Sequence, residues 1–266
     1  MTENEADIPE VENSEALQLD EPEQDWLDDL QVSLNYLTKF SVPGGLVLSN
    51  PSIPKASRFF PVIGILIGIV SSLVIAAASL TGLPQGVVIA FGICSISAIT
   101  GLKQETALAN SFDLLPTIVK QEDSQKSNTL FIGVFSLFFG FVIKWIALSS
   151  ISLDAASLAL LTGILISSST PSILMRYSLR SEENETLSSQ ADLKTVFISV
   201  ILAIVICFFI NGFLLTATIV LILFIFMVTI IFLMRHFIKK YDETLVLGFA
   251  EVTNIVVILT IVSSEA

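Results

Sequence analysis

Three oxygen-bearing side chains in residues 100–115 are spaced to share one face of a helix. Thr106, Asn110 and Asp113 follow one another at intervals of four and three, which places them on the same helix face. Oxygen ligands at a membrane surface are what Mg²⁺ bound to a diphosphate requires. Only one of the three is a carboxylate, and a solvated polar helix face also explains the pattern. The spacing therefore predicts either a magnesium site or a polar helix surface.

Lys144 and Glu251 interrupt long apolar segments. Charged groups within a membrane segment are costly and often functional. Lys144 stands close to the end of its segment, so its ammonium either extends to the membrane surface or serves as a functional counter-charge. Glu251, with its neighbours Thr253 and Asn254, is either a functional group or a polar contact between helices.

The composition determines what kind of protein must position these residues. The chain has 266 residues, of which 53% are hydrophobic and 14% are charged, whereas soluble domains carry roughly a quarter charged residues. So little charge cannot solvate the whole surface, which excludes an ordinary soluble protein. A single His and two Cys, both within apolar runs, exclude a multi-histidine metal site and a disulfide framework.

We predict an all-α polytopic membrane protein of about seven transmembrane helices, each of about 20 mostly apolar residues. Residues 195–234 contain no charge and are twice as long as one span needs, so Asn211-Gly212 is the predicted turn between two spans. Gly64 and Gly68 form a GxxxG pattern, which predicts close helix packing. The predicted spans are 59–80, 86–102, 129–150, 155–175, 195–212, 213–234 and 244–264.

The distribution of Lys and Arg predicts the orientation. With seven spans, twelve of the 13 bases fall in segments on one side, and the other base, Lys144, is inside a span. The positive-inside rule makes this side cytoplasmic, with the N-terminus inside. The two longest loops, 103–128 and 176–194, then face the cytoplasm, where we expect a water-soluble substrate or partner to bind.

The N-terminal segment is strongly acidic. Residues 1–30 contain twelve acids and no base, so the whole net charge of −12 lies in this segment and the rest of the chain is neutral. We predict that 1–24 form a disordered, solvated tail, with partner binding as the alternative, and that 25–266 form one membrane domain. After Asp25, a predicted cap, a short helix on the membrane or the protein body would carry one apolar face: Trp26, Leu27, Leu30, Leu34 and Leu37.

The order of these elements resembles the membrane cobalamin synthases, also called adenosylcobinamide-GDP ribazoletransferases. Residues 57–68, SRFFPVIGILIG, are similar to the family's "s.ryfPlvGlliG", the most specific match, and residues 34–43, LNYLTKFSVP, resemble its opening "aLqfLTrlPvp". Residues 100–115 fall where the family has "TGGLHlDGLADtaDGl". Residues 144–148, KWIAL, and 241–254, which include Tyr241 and Glu251, resemble "lKwaaL" and "YTGDtlGAanEvtE".

The resemblance implies a reaction. The adenosylcobinamide phosphate group would pass from its GDP ester to α-ribazole or its phosphate, releasing GMP with Mg²⁺ as cofactor. It implies a multi-pass protein of the cell (inner) membrane, embedded in the lipid bilayer, with functional loops in the cytoplasm. A homo-oligomer or a complex with other pathway proteins is a further expectation, and no nucleic acid is expected as a partner.

The resemblance also implies roles for particular residues. Catalytic roles fall on Asp113, Glu251 and Tyr241, substrate binding falls on Lys103, Arg176 and Lys144, and metal binding falls on Asp113, Asn110, Thr106 and Asp123. The family's three loop aspartates fall on Thr106, Asn110 and Asp113, so one carboxylate is kept. Because lost carboxylates lower metal affinity, the alternative is a non-catalytic paralogue that binds corrinoid intermediates or scaffolds the pathway. A small transporter is disfavoured, since the predicted spans 59–80, 195–212 and 213–234 carry no charge.

Overall fold

The computed structural model describes residues 26–40, 53–120, 129–177, 191–237 and 243–265, with side chains except at 113–120, 129–131, 177, 234–237 and 243. Over these residues the chain forms helices and no strand, which confirms the all-α prediction. The helices are α1 (Trp26–Leu37), α2 (Ile53–Ala56), a 3₁₀ turn (Ser57–Phe59), α3 (Phe60–Ser79), α4 (Gln85–Thr100), α5 (Lys103–Lys120), α6 (Thr129–Ser149), α7 (Leu153–Tyr177), α8 (Leu193–Phe237) and α9 (Glu243–Glu265).

Five helical segments in the described part of the chain are long and apolar enough to cross a membrane. Their limits agree closely with the predicted spans: Ile53–Ser79, Ile132–Ser149, Leu153–Arg176, Leu193–Leu233 and Thr244–Glu265. The bent pair Gln85–Thr100 and Lys103–Phe112 is a sixth candidate if it counts as one span. The membrane-protein prediction is confirmed, whereas the count of seven and the cytoplasmic N-terminus stay predictions.

Helix α8 is a helical hairpin that turns at Gly212. This residue has φ 76° and ψ 177°, a backbone conformation that glycine adopts readily because it has no Cβ. Cys207 Sγ and Thr216 Oγ1 lie 3.6 Å apart, whereas a continuous helix would separate these two residues by about 13 Å along its axis. The chain therefore reverses at the predicted Asn211-Gly212 position, with one arm over 193–211 and the other over 213–237.

Helix α7 occupies the centre of the molecule, since 83% of its span is buried, against 17% for α8. Helices α3 and α9 pack on it. A Cβ added at Gly64 would lie 2.3 Å from Ser168 Oγ, and one at Gly68 would lie 2.9 Å from Leu161 Cα. These distances leave no room for a side chain, so Gly64 and Gly68 allow α3 to pack closely on α7, as the GxxxG pattern predicts.

The segment predicted to connect two spans, 103–128, contains the helix that the spacing of Thr106, Asn110 and Asp113 predicts, because residues 103–120 are helix α5. The chain bends by 86° between α4 and Lys103–Phe112, through Gly101 (φ 66°) and Leu102 (φ 61°). Ala107 and Leu108 are buried, and α5 packs on α6 and α9. Burial of this apolar face holds the segment as a helix.

Helix α1 lies on the protein body. Of its predicted apolar face, Leu30, Leu34 and Leu37 pack against the core, whereas Trp26 and Leu27 are 57% and 52% exposed. The inner face also carries Asp29, which forms an ion pair with Arg58 at 2.5 Å, and Ser33, which donates a hydrogen bond to the carbonyl oxygen of Ala56. Polar contacts, rather than hydrophobicity alone, set the rotation of this helix.

The two ends of the helices differ in character. At one end the turns after α3 and α6 meet, where the Gln85 side-chain amide donates to the carbonyl oxygen of Ile151 at 2.5 Å. The opposite end carries Arg58 and Lys103 beside α1. The described bases outside the spans thus cluster at one end, in line with the predicted charge asymmetry.

Candidate functional site

A buried ion pair joins α6 to α9. Lys144 Nζ lies 2.5 Å from Glu251 Oε1, and the two residues are 4% and 3% exposed. The amide of Asn254, one turn further along α9, also hydrogen-bonds to the Glu251 carboxylate. Lys144 therefore does not extend to the membrane surface, and that alternative is wrong. It is the counter-charge of Glu251.

A second carboxylate, that of Glu105 on α5, faces this pair. Glu105 Oε1 accepts a hydrogen bond from Ser97 Oγ at 2.5 Å, and the residue is 9% exposed. It lies close enough to interact electrostatically with both Lys144 and Glu251. Its other oxygen, Oε2, is buried and has no hydrogen-bond partner among the described residues. Two carboxylates thus share one ammonium, which leaves an excess negative charge.

These three charged residues line a cavity of about 320 Å³ between α5, α6 and α9. The rest of its wall is apolar or uncharged: Ser97, Leu102, Leu108, Val134, Leu137, Phe138, Gly140 and Phe141. A mostly apolar cavity with a few converging polar groups is typical of a small-molecule site. We call the three residues the Glu105–Lys144–Glu251 cluster.

Close backbone packing fixes the helices that carry the cluster. A Cβ at Gly248 would lie 2.6 Å from Ser111 Oγ and 3.1 Å from the Ala107 carbonyl oxygen, so α9 touches the backbone of α5. A Cβ at Gly163 would lie 2.4 Å from Asn254 Oδ1, so α9 also lies directly against α7. The 86° bend between α4 and α5 then turns Glu105 toward Lys144.

A second cavity, of about 300 Å³, lies between α7, the two arms of α8, and α9. Its wall is apolar apart from the hydroxyls of Ser169, Thr170 and Thr253, and no charged residue lines it. Because phosphoryl-transfer chemistry needs charged groups at the reacting atoms, the cavity with the cluster is the better candidate site.

The predicted metal ligands divide into two groups. Thr106 and Asn110 are exposed on α5, and the Thr106 hydroxyl donates to the carbonyl oxygen of Leu102 in its own helix. The side chain of Asp113 and all of Asp123 lie outside the described residues. Within the described ranges no three His, Cys, Asp or Glu residues are grouped to hold a metal. The magnesium site therefore stays a prediction.

The predicted substrate-binding residues are dispersed. Lys103 Nζ donates to the carbonyl oxygens of Asn35, Tyr36 and Thr38 at 2.7, 3.1 and 2.7 Å, and an ammonium has only three N–H donors. In this conformation Lys103 thus fastens α1 to the α4–α5 bend. Arg176 lies in the last turn of α7, and Tyr241 falls outside the described residues.

Glu105 and Ser97 are not among the catalytic, substrate-binding and metal-binding residues predicted above. Both lie next to the bend whose angle brings them toward α6. The available signal was an acidic residue in the first turn of an amphipathic helix, which is also common at ordinary helix N-termini. Only the geometry of the bend shows that Glu105 belongs to the site and is not an ordinary acidic residue at a helix N-terminus.

The cluster and its cavity lie within residues 97–251, inside the segment that a family comparison matches. The sequence profile of the cobalamin-5-phosphate synthase family matches residues 29–262. The chain belongs to this family.

Relatives that carry the name adenosylcobinamide-GDP ribazoletransferase are moderately similar to the chain. The protein from Shewanella frigidimarina (strain NCIMB 400) is 28% identical over 202 residues, covering 70% of this chain and 77% of the relative. The protein from Ralstonia nicotianae is 27% identical over 135 residues, covering 49% and 52%. The protein from Bradyrhizobium diazoefficiens is 27% identical over 128 residues, covering 47% and 49%. No solved structure matches the chain.

Proposed function

We propose that this member of the cobalamin-5-phosphate synthase family is an adenosylcobinamide-GDP ribazoletransferase. The observation that carries the proposal is the family match over residues 29–262, which includes the whole Glu105–Lys144–Glu251 cluster. The relatives with this name support the same reaction class. The cluster adds charged groups beside a cavity large enough for a small substrate.

In the proposed reaction, a hydroxyl oxygen of α-ribazole or its phosphate attacks the phosphorus of adenosylcobinamide-GDP that is bonded to the cobinamide side. A new P–O bond to the ribazole forms, the P–O bond to GMP breaks, and the hydroxyl proton is released. Such a transfer is catalysed mainly by positioning and by charge stabilisation. Lys144 is held by Glu251 at 2.5 Å, so we propose that it contributes to substrate binding from a fixed position in the site.

The other site residues belong to the proposal as well. Asp113 and Tyr241 would act together with Glu251 in catalysis, and Arg176 would meet phosphate oxygens. Lys103 could do so only after it releases the end of α1, because three backbone carbonyls now occupy it. Each of these roles is a separate hypothesis for mutagenesis.

Magnesium is proposed from the resemblance, with Asp113, Asn110, Thr106 and Asp123 as candidate ligands. Since the described side chains alone do not form such a site, metal binding needs its own measurement. Equilibrium dialysis of the purified protein against Mn²⁺, as a Mg²⁺ substitute, would detect it. The expected result is binding that competes with Mg²⁺ and weakens when Asp113 is replaced by Asn.

The proposed setting is the inner membrane, with the polar loops in the cytoplasm, where nucleotide substrates are available. The apolar helices support a lipid environment. A homo-oligomer or a complex with other pathway proteins remains a proposal that size determination in detergent or nanodiscs would test.

The test of the function is GMP release. Purified protein in detergent or nanodiscs is mixed with adenosylcobinamide-GDP and α-ribazole, with and without Mg²⁺, and GMP is measured by chromatography. Turnover that needs both substrates supports the proposal. No turnover by wild type, but some by Thr106→Asp with Asn110→Asp, would instead support the non-catalytic paralogue.

A further inference from the structure

The cavity between α5, α6 and α9 has the size and shape of a site for one small molecule. Its volume is about 320 Å³, near the lower end of the range for small-molecule pockets. Val134 and Lys144 both line it, and α6 rises about 15 Å between them. Leu102, Val134 and Phe138 are exposed and form its mouth, whereas the ion pair lies at its inner end.

The wall offers two kinds of contact. Leu108, Phe138 and Phe141 supply apolar and aromatic surface, against which a flat aromatic base can pack. Glu105 supplies the polar contact, because its buried Oε2 has no partner among the described residues. Leaving such a buried acceptor unsatisfied is costly, so a ligand that donates a hydrogen bond there is favoured.

The charge of the cluster selects between ligands. Glu105 and Glu251 carry two negative charges, and Lys144, the one cation among the described residues that line the cavity, is already bound to Glu251 at 2.5 Å. A phosphate placed in this cavity would bring further negative charge close to Glu105, in surroundings where charges are weakly screened. A hydroxyl group meets no such repulsion and forms a strong hydrogen bond to a carboxylate.

We propose that this cavity binds the acceptor of the transfer reaction as the uncharged nucleoside in preference to its phosphate, with Glu105 Oε2 accepting a hydrogen bond from a nucleoside hydroxyl. This inference rests on the proposed function, because that function supplies a nucleoside as substrate. Glu105 is then a specificity-determining residue.

The test is a binding measurement on the full-length protein in detergent. Isothermal titration calorimetry gives the affinities for α-ribazole and α-ribazole 5′-phosphate. We expect wild type to bind the nucleoside at least about tenfold more tightly, because both ligands can donate a ribose hydroxyl to Glu105 but only the phosphate carries charge that this carboxylate repels. Glu105→Leu should bring the affinity ratio close to one, by weakening nucleoside binding and strengthening phosphate binding.

Two further variants make the result specific. Glu105→Gln keeps a hydrogen-bonding oxygen but removes the charge, so nucleoside binding should largely persist while phosphate binding improves. This variant also tests the inference if Glu105→Leu does not fold. Asp154→Asn removes an exposed acid at the start of α7 that does not line the cavity, and should leave the ratio at its wild-type value.

Two outcomes overturn the inference: wild type binds both ligands equally or not at all, or the ratio does not respond to either substitution of Glu105. GMP release from the same preparations separates this inference from the proposed function. If GMP is released but the affinity ratio does not change on substitution of Glu105, the nucleoside site is refuted and the proposed function is retained. A Glu105-dependent preference without turnover supports the site and refutes the transferase activity.

Discussion

Removing the ammonium of Lys144 should strongly destabilise the protein. In Lys144→Met the long apolar stem is kept, but Glu251 and Glu105, which are 3% and 9% exposed, lose the one buried cation that the described part of the chain places beside them. Breaking a buried ion pair typically costs about 3–5 kcal/mol, because the remaining charge stays buried without compensation. At about 2–4 °C per kcal/mol for a chain of this size, the apparent melting temperature should fall by about 6–20 °C.

Thermal unfolding in detergent, followed by circular dichroism at a fixed scan rate, measures this change. The double variant Lys144→Met with Glu251→Gln should recover at least about half of the loss, since it removes one of the two uncompensated charges. Lys194→Met is the matched control, because Lys194 is exposed. The ion-pair reasoning is refuted if Lys144→Met melts within about 2 °C of wild type. It is also refuted if the double variant loses as much stability as the sum of the losses in the two single variants.

Four further predictions follow from the packing, the charge distribution and the family pattern. Gly68→Ala should destabilise the fold by about 1–3 kcal/mol, because its Cβ would lie 2.9 Å from Leu161 Cα. Gly86→Ala is the control, because its Cβ would have its nearest contact at 3.5 Å and should not destabilise the fold. Equal melting temperatures of the two variants would contradict this prediction. A cysteine introduced within 178–190 should react with a membrane-impermeant maleimide only after the cells are lysed, because this segment is predicted to face the cytoplasm. Labelling in intact cells would show that the predicted orientation is wrong. Deletion of 1–24 should leave yield and melting temperature unchanged; a collapse in yield would show that the tail packs. Asp113→Ala should lower Mg²⁺-dependent GMP release at least about a hundredfold, and an unchanged rate would show that the metal-site alignment is wrong.

The apolar helices were predictable because membrane thickness imposes a length on them. Residues 155–175 and 244–264 were predicted as spans, and the structure has Leu153–Arg176 and Thr244–Glu265. The turn within α8 was also predictable, since a 45-residue helix exceeds one membrane crossing and Asn211-Gly212 is the natural place for a reversal.

Helix α5 could not be predicted as a packed element from hydropathy alone. Its sequence mixes polar and apolar residues, and the helix is stable because Ala107 and Leu108 are buried against α6 and α9. The same limit applies to the ion pair. Lys144 and Glu251 are 107 positions apart, and no local pattern in one sequence links them. Surface exposure of Lys144 was therefore an open alternative until the arrangement of α6 and α9 was known.

Stability alone does not account for the Glu105–Lys144–Glu251 cluster. Replacing a buried ion pair by well-packed apolar residues often leaves a protein equally or more stable. A buried carboxylate oxygen without a hydrogen-bond partner lowers the stability further. Yet Gly163 and Gly248 hold α9 so close to α7 and α5 that a Cβ at either would approach a neighbour within 2.6 Å. The fold thus positions three costly charges at the inner end of one cavity. Such an arrangement is expected where function, rather than folding, determines the residues, and it places the specificity of the proposed reaction at Glu105.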